Sequence, residues 1–458
     1  AQASFLLTCD LPNEAVLLTE KTTVTLSNIE ISVKLFFVLL EKTRVTVNEN
    51  FFIAEHNDNE DCIREHGMMG ETPVCLEERC LVLSSLALEN IERMAPNSIG
   101  CSLKKLDLSD TGLINILPKL RIHGDCEIKY LSLTANEEAV LAQEKPFCVG
   151  RVKSMWLREY AVGVITKMSL KDCEIKHLHL TASEEAHVSA VLAQENPFCV
   201  ERVKNMDLED YAVGVITKMS LKDCEIGYLV LAASEEAHVA EVLAQEKPFC
   251  VGRVKTMWLY EYAVGVITKM SLKDCEIEHL ELTASEEAHV AAVLAQEKPF
   301  CVGRVKNMVL RGYAVGVITK MSLKDCGVED LRLYASEEAH VAAVLEQETP
   351  LSVGGVKRVN IWGYAVSVIT KMTIHEDNTM ESFVLAGNED HLSRILEEGD
   401  SSINLGRIRT GGLRVPERIK RKLRYTLVDG EGKEVLEERD SSKWWRRRWW
   451  VTRKKDFE

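Results

Sequence analysis

The chain has 458 residues, 46% hydrophobic and 28% charged, with 71 acidic against 56 basic residues for a net charge of −15. Such a composition buries a core, and 25 Gly with 10 Pro exclude wholesale disorder and collagen-like structure. No apolar run approaches the roughly 20 residues of a helical membrane span.

The charge is uneven. Residues 401–458 carry 17 Lys+Arg and 9 Asp+Glu, a net of +8, which leaves −23 on the first 400 residues. An acidic body repels the phosphates of a duplex, so nucleic acid is not expected as a partner except through the basic tail. The chain begins at Ala1 without Met, which suggests a processed N-terminus and a secreted protein, with a cytoplasmic one as the alternative. It has no Asn-X-Ser/Thr glycosylation acceptor.

Residues 1–102 read as an N-terminal cap with divergent coils. Weak alternating pairs stand at Val24 and Leu26, Val45 and Val47, and Leu86 and Leu88, and an irregular stretch holds Cys62, Cys75 and Cys80. From 103 the pattern strengthens. Leu103, Leu106, Leu108 and Thr111 repeat in spacing as Ile128, Leu131, Leu133 and Asn136.

A 51-residue repeat follows. Tyr160, Tyr211, Tyr262, Tyr313 and Tyr364 keep that step, as do Cys148, Cys199, Cys250 and Cys301, and Cys173, Cys224, Cys275 and Cys326. Near-identical units at a fixed period mean a solenoid or a propeller. Within the second copy, residues 203–210, 216–223 and 226–232 alternate apolar and polar side chains, the pattern of strands. Leu180 to Leu208 is 28 residues and Leu208 to Leu231 is 23, so the period divides into two coils. The middle segment, with Leu221 only 13 residues after Leu208, falls on the return side of the shorter coil. Next, Ser234 as N-cap, Glu235 and Glu236 in the first turn, and Val239, Val242 and Leu243 on one face before Pro248 predict a three-turn amphipathic helix.

These spacings resemble the leucine-rich repeat family, whose pattern LxxLxLxxN the units beginning at Leu103 and Ile128 follow most closely. The 28-residue helical coils look like its ribonuclease-inhibitor subclass. The resemblance implies an α/β solenoid: a curved array over residues 103–400 with a parallel concave sheet, helices on the convex side of alternate coils, and a basic C-terminal cap or tail over 401–458.

Comparing copies shows where the units differ. The first strand varies at Trp156, Asp207, Trp258, Val309 and Asn360, and at Arg158, Glu209, Tyr260, Arg311 and Trp362; the third varies at His179, Val230, Glu281 and Arg332. In a leucine-rich repeat these outward positions line the concave face. Polar helix positions such as Glu184 and Gln194 hardly change, whereas drift would touch both surfaces alike. Large rigid side chains such as Trp, Tyr and Arg suit macromolecular contact. The expected partner surface is therefore Trp156, Arg158, His179, Asp207, Glu209, Trp258, Tyr260, Glu281, Arg311, Arg332 and Trp362.

The cysteine series read either as buried thiols or as disulfides joining Cys148 to Cys173, Cys199 to Cys224, Cys250 to Cys275 and Cys301 to Cys326. His187, His238, His289 and His340 recur beside glutamates at the helix starts, but at ~4.8 Å per strand equivalent copies stand about 10 Å apart, too far to share an ion. They read as exposed helix residues. No Cys-x-x-Cys pair or catalytic fingerprint occurs, so neither an enzyme nor a metal or other cofactor is expected.

Gly411, Gly412 and Pro416 punctuate the end of the array, and 424–436 read as a hairpin through Gly430. Trp444, Trp445, Arg446, Arg447, Arg448, Trp449 and Trp450 then alternate indole and guanidinium groups. They fit a terminal cap, or contact with another copy's acidic body, a membrane or single-stranded nucleic acid. The functional expectation is a non-enzymatic protein-binding solenoid. The alternative is a structural protein that assembles into a homo-oligomer or polymer through its array and tail.

Overall fold

The computed structural model describes residues 4–10, 15–55, 61–65, 73–77, 83–109, 113–122, 125–137, 146–170, 173–200, 202–272, 275–323, 327–375 and 377–435. Fourteen strands, from Val74–Glu77 to Leu413–Arg414, form one sheet in which spatial order follows chain order. Every neighbouring pair is parallel, so each strand lies one coil beyond the last, as an α/β solenoid requires. The leucine spacing sets the register: Leu157, Leu180, Leu208, Leu231, Leu259, Leu282, Leu310 and Leu333 lie side by side on successive strands. All eight are fully buried. At roughly 1.5–3 kcal/mol for each buried leucine, this one row is a large part of what holds neighbouring coils together.

Opposite the sheet, the middle segment of each unit departs from the strand reading. Tyr211–Lys218 is a 3-10 helix, and only Met219–Ser220 is strand, paired with Phe198–Cys199 of the preceding coil. Ala212 and Val215, and Val213 and Ile216, are buried at the three-residue spacing that eclipses side chains in a 3-10 turn. The apparent alternation of 216–221 came from joining the end of this turn to the short strand. Its location on the return side is as expected.

The predicted three-turn helix is also shorter. Glu236–Val239 is 3-10 and Ala240–Leu243 is α, with Glu235 rather than Ser234 at the N-cap. His238 is buried, and its Nδ1 accepts from the Glu235 backbone N at 3.3 Å; His187, His289 and His340 repeat the arrangement. These histidines are internal helix-start groups, not exposed ones. The α turns stand on alternate coils, as expected, the coils between carry the 3-10 turns, and the two kinds pack together. The Nζ of Lys218, Lys269, Lys320 and Lys371 each donates at 2.8 Å to the carbonyl of Gln194, Gln245, Gln296 and Gln347, closing the helix end of the coil before.

The cysteine pairing is corrected. Among the described residues no two cysteines are joined in a disulfide. Cys148 and Cys199 stand opposite Ser169 and Ser220 on the return wall and, like Cys250, face solvent. Cys173, Cys224 and Cys275 are buried, with Sγ donating to the carbonyls of Gly150, Val200 and Gly252 at 3.2, 3.4 and 3.5 Å. Cys301 is half-buried, and its proposed partner Cys326 lies outside the described residues.

In the N-terminal region, Thr23–Leu26 and Arg44–Val47 are parallel strands beside Ser4–Leu7, as their alternation suggests. Leu86 and Leu88 belong instead to the helix Ser85–Arg93, capped by Ser84, whose side chain accepts from Ala87 N. Within that helix Asn90 is buried and donates to the carbonyls of Leu40 and Thr43 at 2.9 and 2.7 Å. At the other end, Ile403–Arg409 pairs in parallel with Thr379–Met380 and Leu423–Val428. Beyond it a hairpin bridge joins Val428 to Glu434. The Trp/Arg run 444–450 lies outside the described residues.

Candidate functional site

Strand alternation turns every second side chain of the fourteen-stranded sheet away from the core, and the parallel register stacks these outward residues in rows. One row runs Ser132, Trp156, His179, Asp207, Val230, Trp258, Glu281, Val309, Arg332 and Asn360. The next runs Thr134, Arg158, Thr181, Glu209, Ala232, Tyr260, Thr283, Arg311, Tyr334 and Trp362. All eleven residues picked out by comparing copies therefore lie on one face, in two adjacent rows. Their separation in sequence hides this; the register supplies it.

The face divides into three patches. Toward the N-terminal end, the Trp156 ring lies 4.6 Å from His179, with Tyr130 at 6.3 Å from Trp156 and the Arg158 guanidinium 5.9 Å over the indole. His179 Nδ1 is 3.2 Å from Asp207 Oδ2, and its Nε2 is 2.9 Å from Thr181 Oγ1 and 3.9 Å from Glu209 Oε2. Thr181 Oγ1 in turn donates to Glu209 Oε2 at 3.3 Å. One ligand atom from each of His179, Asp207 and Glu209 can be chosen so that all lie within 4.8 Å of one another, the spacing of a set able to hold a metal ion. Among the described residues, the buried atom Asp207 Oδ1 has no hydrogen-bond partner.

In the middle patch Tyr228 stacks on Trp258 at 5.6 Å, and Glu281 receives Arg311 Nε at 2.8 Å and contacts His279 at 3.4 Å. Burial, reinforced by Glu281, raises the Tyr260 phenol above its ordinary value. The third patch joins Tyr334 to Trp362, stacked at 4.4 Å, with Arg311 4.3 Å over the Tyr334 ring. Here the carboxylate of Asp330 is buried among Arg332, Arg358 and Asn360 at 2.9 to 3.3 Å. Burial pushes its carboxyl up, but the two guanidinium groups overcome this and hold it below the ordinary carboxylate value.

Comparison between copies missed Tyr130, Tyr228, Asp330, Tyr334 and Arg358, which complete these patches. The available signal was alternation: each stands two residues from a position that was chosen or from its strand neighbour. No protein-family model matches the chain, and no curated protein or solved structure does either. Function must therefore be read from this surface.

Proposed function

We propose that the chain is a non-enzymatic binding protein, a curved solenoid of the leucine-rich repeat kind whose outward sheet face forms the concave surface that recognises a protein partner. The observation that carries this reading is the sequence of patches Trp156/His179, Tyr228/Trp258 and Tyr334/Trp362, each joining aromatic rings to charged side chains along one continuous face. Aromatic and arginine anchors give large contact area at low entropic cost, and an extended array presents them over a length suited to a macromolecule. The unvarying return wall has a reason of its own, since its lysines close helix ends. Diversity is concentrated where no such duty falls.

A photoreactive side chain at Thr283 on the outward face, compared with one at Glu241 on the helical wall, tests the reading in native extract. Crosslinks from Thr283 alone support it, and crosslinks from Glu241 alone refute it. The assembly alternative, through the array and the basic tail, predicts concentration-dependent light scattering that disappears when residues 443–458 are deleted.

A further inference from the structure

The geometry points to a single divalent metal site on the outward face, with His179, Asp207 and Glu209 as protein ligands and Thr181 as the group that orients them. It does not depend on the protein-docking reading, because it rests on four residues of two adjacent strands. His179 and Thr181 lie on Glu174–Ala182, Asp207 and Glu209 on Arg202–Asp210, and the register sets His179 beside Asp207 and Thr181 beside Glu209. Two residues at i, i+2 on each of two paired strands make a small rectangle of donors pointing the same way.

The hydrogen bonds within the rectangle specify what is missing from it. His179 Nε2 lies 2.9 Å from Thr181 Oγ1, and Thr181 Oγ1 lies 3.3 Å from Glu209 Oε2. One arrangement of protons that serves both contacts has Nε2–H donating to the hydroxyl and the hydroxyl donating to the carboxylate. In a neutral imidazole this leaves the Nδ1 lone pair facing Asp207 Oδ2 at 3.2 Å. A divalent ion between or beside the two groups makes both of them ligands. The same ion supplies a partner for Asp207 Oδ1, a buried atom that has none among the described residues, a state costing on the order of 1–3 kcal/mol.

The dimensions favour the ion. Ligands at ~2.1 Å in a tetrahedral shell stand about 3.4 Å apart, close to the 3.2 Å between Nδ1 and Asp207 Oδ2, and one ligand atom from each of His179, Asp207 and Glu209 lies within 4.8 Å of the others. Donation of the remote ring nitrogen to an oxygen acceptor is the usual way a ligating histidine is fixed, and Thr181 fills that place. The Trp156 ring 4.6 Å away limits rotation of the imidazole. One nitrogen and two carboxylates suit Mn2+, Zn2+ or Co2+ and leave coordination positions open to solvent, where an oxygen ligand of a bound molecule can enter.

Duplication provides the control. The positions matching His179, Asp207 and Glu209 are Val230, Trp258 and Tyr260 in the next unit, then Glu281, Val309 and Arg311, then Arg332, Asn360 and Trp362. None repeats the donor set. Mn2+ is the probe of choice, because it prefers oxygen and imidazole donors to the exposed thiols of the return wall.

Titration of the full chain with Mn2+, read as loss of the free-ion paramagnetic resonance signal, should reveal one ion per chain with a Kd below about 100 μM, displaced by Zn2+. His179→Gln and Asp207→Asn should each weaken it at least tenfold, and Thr181→Val about tenfold as an orienting group. Glu281→Gln, which removes a carboxylate on the same face outside the set, should leave it unchanged. Far-UV circular dichroism keeps misfolded variants out of the comparison. Absence of any site tighter than about 1 mM, or equal affinity in wild type and both His179→Gln and Asp207→Asn, would overturn the proposal.

Discussion

Gly312 ends its strand at φ +62° and ψ −137°, a conformation largely reserved for glycine, and a Cβ built there would lie 2.2 Å from the carbonyl oxygen of Ala284. The matching positions in earlier units are acidic: Glu159, Asp210 and Glu261 hold φ of 55°, 54° and 56°. Such backbone strain costs on the order of 1–3 kcal/mol. What offsets it is visible at Glu261, whose Oε2 accepts from Ser285 N and Ser285 Oγ, both at 2.9 Å. Two hydrogen bonds at roughly 1 kcal/mol each recover most of the strain. Gly312→Ala should therefore weaken the local structure by about 1–3 kcal/mol, since alanine brings the strain without the carboxylate. Gly312→Glu should recover about 1–2 kcal/mol of that loss by reaching Ser336, the counterpart of Ser285. Because repeat arrays open locally, the assay is native-state hydrogen exchange of amides in 304–345. An alanine variant within about 0.5 kcal/mol of wild type, or a glutamate variant no more stable than alanine, would refute this account of the rim.

Burial lowers the His340 imidazole below its ordinary 6.5, only partly countered by Glu337, so the folded chain resists its protonation more than the unfolded chain does. Its stabilising contribution should be complete above pH 6.5 and be lost as pH falls below it; urea midpoints from pH 7.5 to 5 should show a smaller fall in His340→Asn than in wild type. Asp330→Asn should destabilise by roughly 1–3 kcal/mol, because two guanidinium groups lose a buried charged acceptor. As the Asp330 pKa is depressed, that contribution should hold above pH 3.8 and disappear as pH falls below it, leaving wild type and variant equal in strongly acidic urea titrations. In native protein Cys148, Cys199 and Cys250 should react with a disulfide reagent ahead of Cys101, which is buried with a thiol pushed up to about 12. Mapping modified peptides by mass spectrometry checks this, and early labelling of Cys101 would count against it.

Much of the fold was legible because duplication wrote it repeatedly. The leucine spacings of 28 and 23 give the parallel register, and alternation around Trp156, Trp258 and Trp362 places the varying residues outward. Local pattern failed where two short elements join. Residues 216–221 alternate as a strand would, although the first three finish a 3-10 turn that is buried without a break from Ala212 to Ile216. Leu86 and Leu88 match strand spacing yet lie in a helix fixed by Ser84 and Asn90, contacts that reach 40 or more residues back for Asn90. The cysteine pairing failed because spacing along the chain does not reveal that Cys148 and Cys199 face solvent on two-residue strands while Cys173 and Cys224 are buried just before the next strand of the large sheet. The His179, Asp207 and Glu209 set was named residue by residue, but its closeness depends on pairing strands 28 residues apart. Neither a single strand nor a metal-binding motif carries that information.

The measurement closest to the central claim is the affinity of a partner captured from native material for the wild-type chain and for a Trp156→Ala, Trp258→Ala, Trp362→Ala triple variant. If the outward sheet face is the recognition surface, the triple variant retains its circular dichroism and loses at least about 4 kcal/mol of binding, roughly a thousandfold in Kd. Unchanged affinity in a folded triple variant would contradict it.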